Sequence, residues 1–306
     1  MLALNGQLSE ESPAPEAAPL RAAGPAVRLQ RALGEARVAF KRRAGATVLD
    51  DLHQSGCCKL RIPRPLPGAG PEAVFINTAG GLTDGDAVSL SAGWGEGTWA
   101  TISTQAAERI YRSRGLPARA LNRLDVAAEA TALWLPQETI LFDGGRLKRR
   151  FDARIDEGGR LLACESTVFG RTAMGETVRD GALHDSWRIW IGGRLVFADG
   201  LNLDGRIDDV LDRPAIGAGA RAIASVVYAG PGVAGLVEPL RAAMAGLAAT
   251  CGCSVNGPVL IARILARESK LMRDALRTVL EAALTWLRGK REDLAAAAVL
   301  PRVWTC

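Results

Sequence analysis

Between about Gly34 and Asp204 the apolar residues fall into many short segments punctuated by glycine and proline. Ser186–Phe197 shows the pattern best. Trp187, Ile189 and Ile191 alternate with polar neighbours, Gly192-Gly193 interrupts, and Leu195 and Phe197 resume the alternation. Alternate side chains of a strand share a face, and paired glycines supply the positive φ of a tight turn, so this segment predicts a β-hairpin. The same Gly-Gly-Arg-Leu device stands at Gly144–Leu147 and Gly158–Leu161, at intervals of 14 and 34 residues, which marks recurring turn chemistry and no fixed-period repeat. Further strands are predicted at Arg37–Lys41, Lys59–Ile62, Ala73–Asn77, Ala87–Ser91, Thr98–Ser103, Arg119–Val126, Ala132–Leu135 and Leu161–Val168. The C-terminal third changes period. Val233–Thr250 reads as a helix and Ser254–Arg267 as a strand pair bent at Gly257-Pro258. Glu268–Arg288 reads as a second helix, with Met272, Ala275, Leu276, Val279, Ala283 and Leu287 on one stripe and Gly289 as C-cap. The expected fold is mainly β: stacked or wrapped antiparallel sheets with about two covering α-helices near the C-terminus. Residues 1–33, which hold Pro13, Pro15, Pro19 and Pro25 without periodicity, are expected to form a flexible tail, and residues 34–306 a single β-rich domain.

Composition narrows the function. With 48% hydrophobic and 23% charged residues the chain is globular, not disordered. No stretch reaches the ~18 apolar residues of a membrane helix, and Met1–Glu10 lacks the features of a signal peptide, so a cytoplasmic protein with reduced cysteines is expected. The net charge of +5 is dispersed; its densest clusters, Lys41-Arg42-Arg43 and Lys148-Arg149-Arg150, read as solvated strand faces. At 5% aromatics they make no nucleic-acid surface. Two histidines, His53 and His184, exclude a multi-imidazole metal centre. Cys251 and Cys253 could clip a soft metal, but without further ligands they read as small packed residues.

Gly230-Pro-Gly232-Val-Ala-Gly235 fits a dinucleotide fingerprint in letters only. Between Arg241 and Arg267 no Asp or Glu is available for a ribose, so a turn before a covering helix is expected there. No phosphate-binding loop of the G-x-x-x-x-G-K-[ST] kind exists, and any nucleotide hydrolysis would belong to a partner. The glycine-rich stretch Thr78–Asp86 ends in Asp84 and Asp86 without the further ligands of a calcium loop.

That stretch also carries a resemblance. Phe75–Asp86, Thr101–Ser113, Trp134–Phe142, Phe169–Glu176 and Leu300–Trp304 occur in order and in register. Together they closely resemble the UreD (UreH) family of urease accessory proteins, over about residues 34–306. The resemblance implies a mainly β chaperone for nickel insertion and not an enzyme. It implies apo-urease, the helical protein UreF and the GTPase UreG as partners. It implies no tightly bound cofactor, only Ni²⁺ in transit.

A carrier that releases nickel needs few, oxygen-based ligands, whereas imidazoles and thiolates would hold the ion. Carboxylates interrupt several apolar stretches here: Asp86, Glu108, Glu165 and Asp199, with Glu176 as a further candidate beside Arg171. An internal carboxylate must be paired, solvated or metal-bound, and a water-filled passage would satisfy such a set. Pairing with the many arginines, or exposure at turns, would do so equally. Two other functions remain open from sequence: an adaptor that never touches metal, and an enzyme with Asp86 and Glu165 as acid and base.

Overall fold

The computed structural model describes residues 30–65, 69–171, 174–290 and 300–304. The expected tail at residues 1–33 therefore lies almost wholly outside the described residues. In chain order the strands of the first half are β1 (Leu33–Arg43), β2 (Ala46–Gly56), β3 (Cys58–Arg61), β4 (Glu72–Asn77), β5 (Ala87–Trp94), β6 (Trp99–Thr104), β7 (Glu108–Ile110), β8 (Ala118–Val126) and β9 (Thr131–Leu135). There follow β10 (Thr139–Leu141), β11 (Arg146–Ile155), β12 (Arg160–Phe169), β13 (Ala182–Ile191), β14 (Arg194–Asp204), β15 (Ala222–Ala229), β16 (Thr250–Asn256) and β17 (Val259–Ala266). The helices are α1 (Ile207–Leu211), α2 (Val237–Met244) and α3 (Ser269–Arg288).

The described strands form two sheets, ordered β14-β13-β11-β8-β5-β1-β2 and β16-β17-β15-β12-β9-β6-β4-β3, with β10 joining β12 to β7. The fold is mainly β, as the short alternating segments predict, but the sheets are mixed and not purely antiparallel. The pairs β5–β8, β8–β11, β11–β13, β4–β6, β6–β9 and β9–β12 are parallel. The reason is that the chain winds: from β4 to β13 it passes back and forth between the sheets. Each sheet thus receives strands that arrive in the same direction. Parallel neighbours need a long crossover, and here a strand of the opposite sheet supplies it where a helix usually would. Alternation along a strand reports its two faces and carries nothing about which strand lies beside it.

Paired glycines consequently do two jobs. Gly192 and Gly193, both at positive φ, close the β13–β14 hairpin as expected. Gly158-Gly159 instead turns the corner from β11 to β12, between the sheets. There only Gly158 has positive φ, and a Cβ on Gly159 would meet the Ala127 carbonyl oxygen at 2.9 Å. Close backbone approach, not hairpin geometry, requires the second glycine.

Two apolar layers result. One lies between the sheets and includes Phe40, Trp94, Leu124, Phe151, Trp187 and Ile189. The other fills the space between the outer face of the second sheet and α2 and α3, with Leu162, Cys164, Val226, Met272, Leu276 and Leu280. β12 is buried on both faces: Leu161, Ala163 and Phe169 point between the sheets, Leu162, Cys164 and Val168 toward the helices. α3 matches the predicted stripe and bounds within a residue. The other predicted helix is shorter. A 3₁₀ turn at Val233–Leu236 leads into α2, which stops at Met244, and Thr250 already belongs to β16. The helical run ends where Ala245 turns extended and Gly246 follows at positive φ. The Gly230–Gly235 segment forms the turn before this helix, and β15 ahead of it has antiparallel neighbours on both sides, which is no dinucleotide-binding setting.

Candidate functional site

On β11 the alternation Leu147, Arg149, Phe151, Ala153, Ile155 faces inward, while Lys148 and Arg150 face solvent. Arg149 therefore enters the layer between the sheets, only 5% exposed. Its neighbour in register on β13 is Asp185, which belongs to the inward row Leu183, Asp185, Trp187, Ile189. Facing both from β12 is Glu165, 6% exposed and one residue past the helix-facing Cys164. Arg149 Nη1 donates to Glu165 Oε2 at 2.5 Å, while Nη2 and Nε reach the two oxygens of Asp185 at 2.6 and 3.1 Å. Trp134 Nε1 donates to the other Glu165 oxygen at 3.0 Å, and Arg149 Nη1 also reaches Thr139 Oγ1 at 3.2 Å. One buried cation is thus shared by two buried carboxylates. Burial works against the Arg149 charge, but Asp185 and Glu165 outweigh it and hold the guanidinium above its usual pKa. Burial raises the Glu165 carboxyl, and Arg149 opposes that rise.

The triad stands where two cavities meet. One, of about 70 Å³, is lined by Glu108, Trp134, Thr139, Arg149 and Glu165 among others. The second, of about 220 Å³, is lined by Arg149, Glu165, Asp185, Asp199, Ser225 and Arg263 among others. A third, of about 230 Å³, borders the first through Phe75, Thr104 and Glu108 and includes Asn77, Gly80 and Gly81. Glu108, Glu165 and Asp199, three of the acids expected from sequence, therefore follow one another along adjoining cavities. Glu108 is held by Asn77 Nδ2, which donates to both carboxylate oxygens at 3.1 Å. Burial pushes its pKa up to about 7, against the pull of Asn77. Asp199 pairs with Arg263, whose guanidinium also donates to Ser225.

Asp86 and Glu176 line none of these three cavities. Asp86 accepts the backbone N–H groups of Ala32 and Thr83, both at 2.8 Å, and so tethers β1 to the glycine loop. Glu176 takes a two-pronged bond from Arg171 at 3.0 Å, and that bond lowers its pKa. The carboxylates of both are occupied by local structure. Arg149 and Asp185 were not foreseen. By residue type Arg149 reads with Lys148 and Arg150 as a solvated cluster; the alternation from Leu147 to Ile155 carries the signal that it points inward. Cys251 and Cys253 pack beside the helix-facing layer, in keeping with their reading as packed residues. Among the described residues no three His, Cys, Asp or Glu side chains converge to hold a metal ion. No described helix is long and apolar enough to cross a membrane.

A family model described as UreD urease accessory protein matches residues 32–305. The chain belongs to the UreD family. Among its relatives, the urease accessory protein UreD of Methylobacterium sp. (strain 4-46) is 44% identical over 282 residues, covering 89% of this chain and 93% of that one. Urease accessory protein UreD 1 of Bradyrhizobium sp. (strain ORS 278) is 40% identical, covering 94% of this chain and 98% of its own. UreD of Rhodopseudomonas palustris (strain HaA2) is 41% identical, with 90% and 93% covered. UreD membership thus extends over both sheets and the covering helices, the whole frame that holds the acids.

Proposed function

We propose that this chain is a non-enzymatic maturation scaffold which binds apo-urease and partners of the UreF and UreG kind, and that Ni²⁺ crosses it between the sheets. Glu108, Glu165 and Asp199 mark the route in that order. The observation that carries this reading is the succession of adjoining cavities, in which Glu108 lines the third and the first, Glu165 the first and the second, and Asp199 the second. The donor set agrees with it. Carboxylates and water hold a divalent ion without retaining it, as a conduit must, and no thiolate or imidazole stands among the residues named on the route. The triad arginine argues against acid–base chemistry at Glu165, since each of its oxygens already accepts a hydrogen bond, one from the buried Arg149 guanidinium and one from the Trp134 indole.

The test is the nickel content of urease matured with Glu108→Gln, Glu165→Gln or Asp199→Asn chains, measured beside co-purification of the partners. A carboxylate ~4 Å from a unit charge at an effective dielectric of about 20 contributes on the order of 4 kcal/mol. Even the fraction that survives desolvation should slow transit about tenfold. Nickel-poor urease from intact complexes is the expected result. Intact complexes that deliver full nickel with all three variants would replace the conduit by a passive adaptor. That adaptor draws on the same structure, because Arg149, Arg171 and Arg263 already pair with Glu165, Glu176 and Asp199.

A further inference from the structure

Arg149 occupies an unusual place for a structural ion pair. It forms part of the wall common to the 70 and 220 Å³ cavities, and its guanidinium lies between the carboxylates of Glu165 and Asp185. Both acids come from different sheets, β12 and β13, so the arginine is the only described charge that bridges them. With Arg149 in place the three groups sum to one negative charge; without it they carry two. A divalent cation moving from the Glu108 side meets a fixed positive charge at this point, followed by two acids it can reach only in exchange for that charge.

We propose that Arg149 is the gate of the route: a tethered cation that fills the Glu165–Asp185 position at rest and must swing aside for a divalent ion to pass. The proposal rests on the conduit reading above and adds a residue that the acids alone do not identify. Exchange explains why a cation can enter without being trapped. Two desolvated carboxylates left bare would bind a divalent ion tightly, and the returning guanidinium displaces it onward toward Asp199. The chemistry is ion exchange only: no covalent bond forms, and the departing ion leaves with its water. The Trp134 indole holds the Glu165 oxygen opposite the one bonded to Arg149, so the carboxylate stays aimed at the crossing point while the guanidinium moves. Thr139, within reach of Nη1, lines the smaller cavity together with Glu165.

Arg149→Met removes the charge and keeps an unbranched apolar stem. The purified full-length variant should bind added Ni²⁺ about tenfold or more tightly than the wild-type chain, and its thermal midpoint should rise with nickel concentration, because the ion replaces the missing counter-charge. The triple variant Arg149→Met, Glu165→Gln, Asp185→Asn should show neither effect. Nickel delivered to urease should fall in Arg149→Met while nickel retained on the chain after desalting rises. A purely structural arginine predicts a destabilised variant whose midpoint ignores nickel. That result, or nickel binding that persists in the triple variant, overturns the gate. If Arg149→Met does not fold even with nickel, Arg149→Lys decides. Its point charge cannot span both acids as the planar fork does, so a smaller nickel-dependent rise is expected and its absence counts against the proposal. Failure of the route itself reads differently: Glu108→Gln and Asp199→Asn would then deliver full nickel whatever Arg149 does.

Discussion

Glu108 is the residue whose environment gives the sharpest solution signature. Its carboxyl titrates near 7 in the folded chain because burial outweighs the two bonds from Asn77. In the unfolded chain it titrates near 4.5. The folded state therefore binds the proton more tightly, and stability from this group is present below about pH 4.5, falls as pH rises toward about 7, and is level beyond that. At 1.36 kcal/mol per unit the loss across that window is ~3 kcal/mol. Glu108→Gln should abolish it, so that urea denaturation in the presence of a chelator shows the variant gaining on the wild type from pH 4.5 to 7.5. A difference that stays flat over this range would mean the carboxylate is solvated. Sequence identified Glu108 as an acid inside an apolar stretch but gave no ground for its pKa, which depends on β7 lying against β10 and on Asn77 arriving from β4.

At the scale of elements, β11 and α3 show how far periodicity reaches. The α3 stripe was legible because period 3.6 over twenty residues admits one buried face, and that face lies on the second sheet. Leu280 is fully buried there, whereas Lys270 at the start of the helix is exposed beside Asp274. Leu280→Ala should cost ~2–5 kcal/mol in denaturant unfolding, and Lys270→Ala no more than about 0.5. Equal losses would show that α3 is held by something other than its apolar stripe. On β11 the same logic was available and was obscured by residue type. Lys148-Arg149-Arg150 looks like one basic cluster until the strand period assigns its middle member to the interior.

Across the whole molecule, cross-sheet ion pairs of two kinds join the sheets. Arg149 reaches Glu165 in a fully buried setting, whereas Arg263 on β17 reaches Asp199 on β14 with its side chain 44% exposed. An exposed pair is screened by water, so Arg263→Met should lower unfolding stability by no more than about 1 kcal/mol. Arg149→Met without nickel should lose ~3–5 kcal/mol, since two acids are left buried and uncompensated. Chemical denaturation of the two variants side by side separates the cases; comparable losses would place the Arg263 pair in the interior as well.

The chain's own pattern determined that most segments are short strands, that one long amphipathic helix covers a sheet near the C-terminus, and which motifs mark the family. Those properties follow from local period and from runs of residues in fixed order. Which strands lie side by side was decided only in three dimensions. So were the parallel pairing of the central strands and the corners made by two of the three glycine pairs, because alternation is identical for a hairpin and for a strand that crosses to the other sheet. The candidate site divides in the same way. Glu108, Glu165 and Asp199 stood out as acids among apolar neighbours, and so did Asp86 and Glu176, which the fold uses to hold backbone and arginine. The partnership of Arg149 with Asp185 and Glu165 joins residues 36 and 16 positions apart, brought together by register within one sheet and packing against the other. A contact of that kind has no period in the sequence; it exists only once the two sheets face each other.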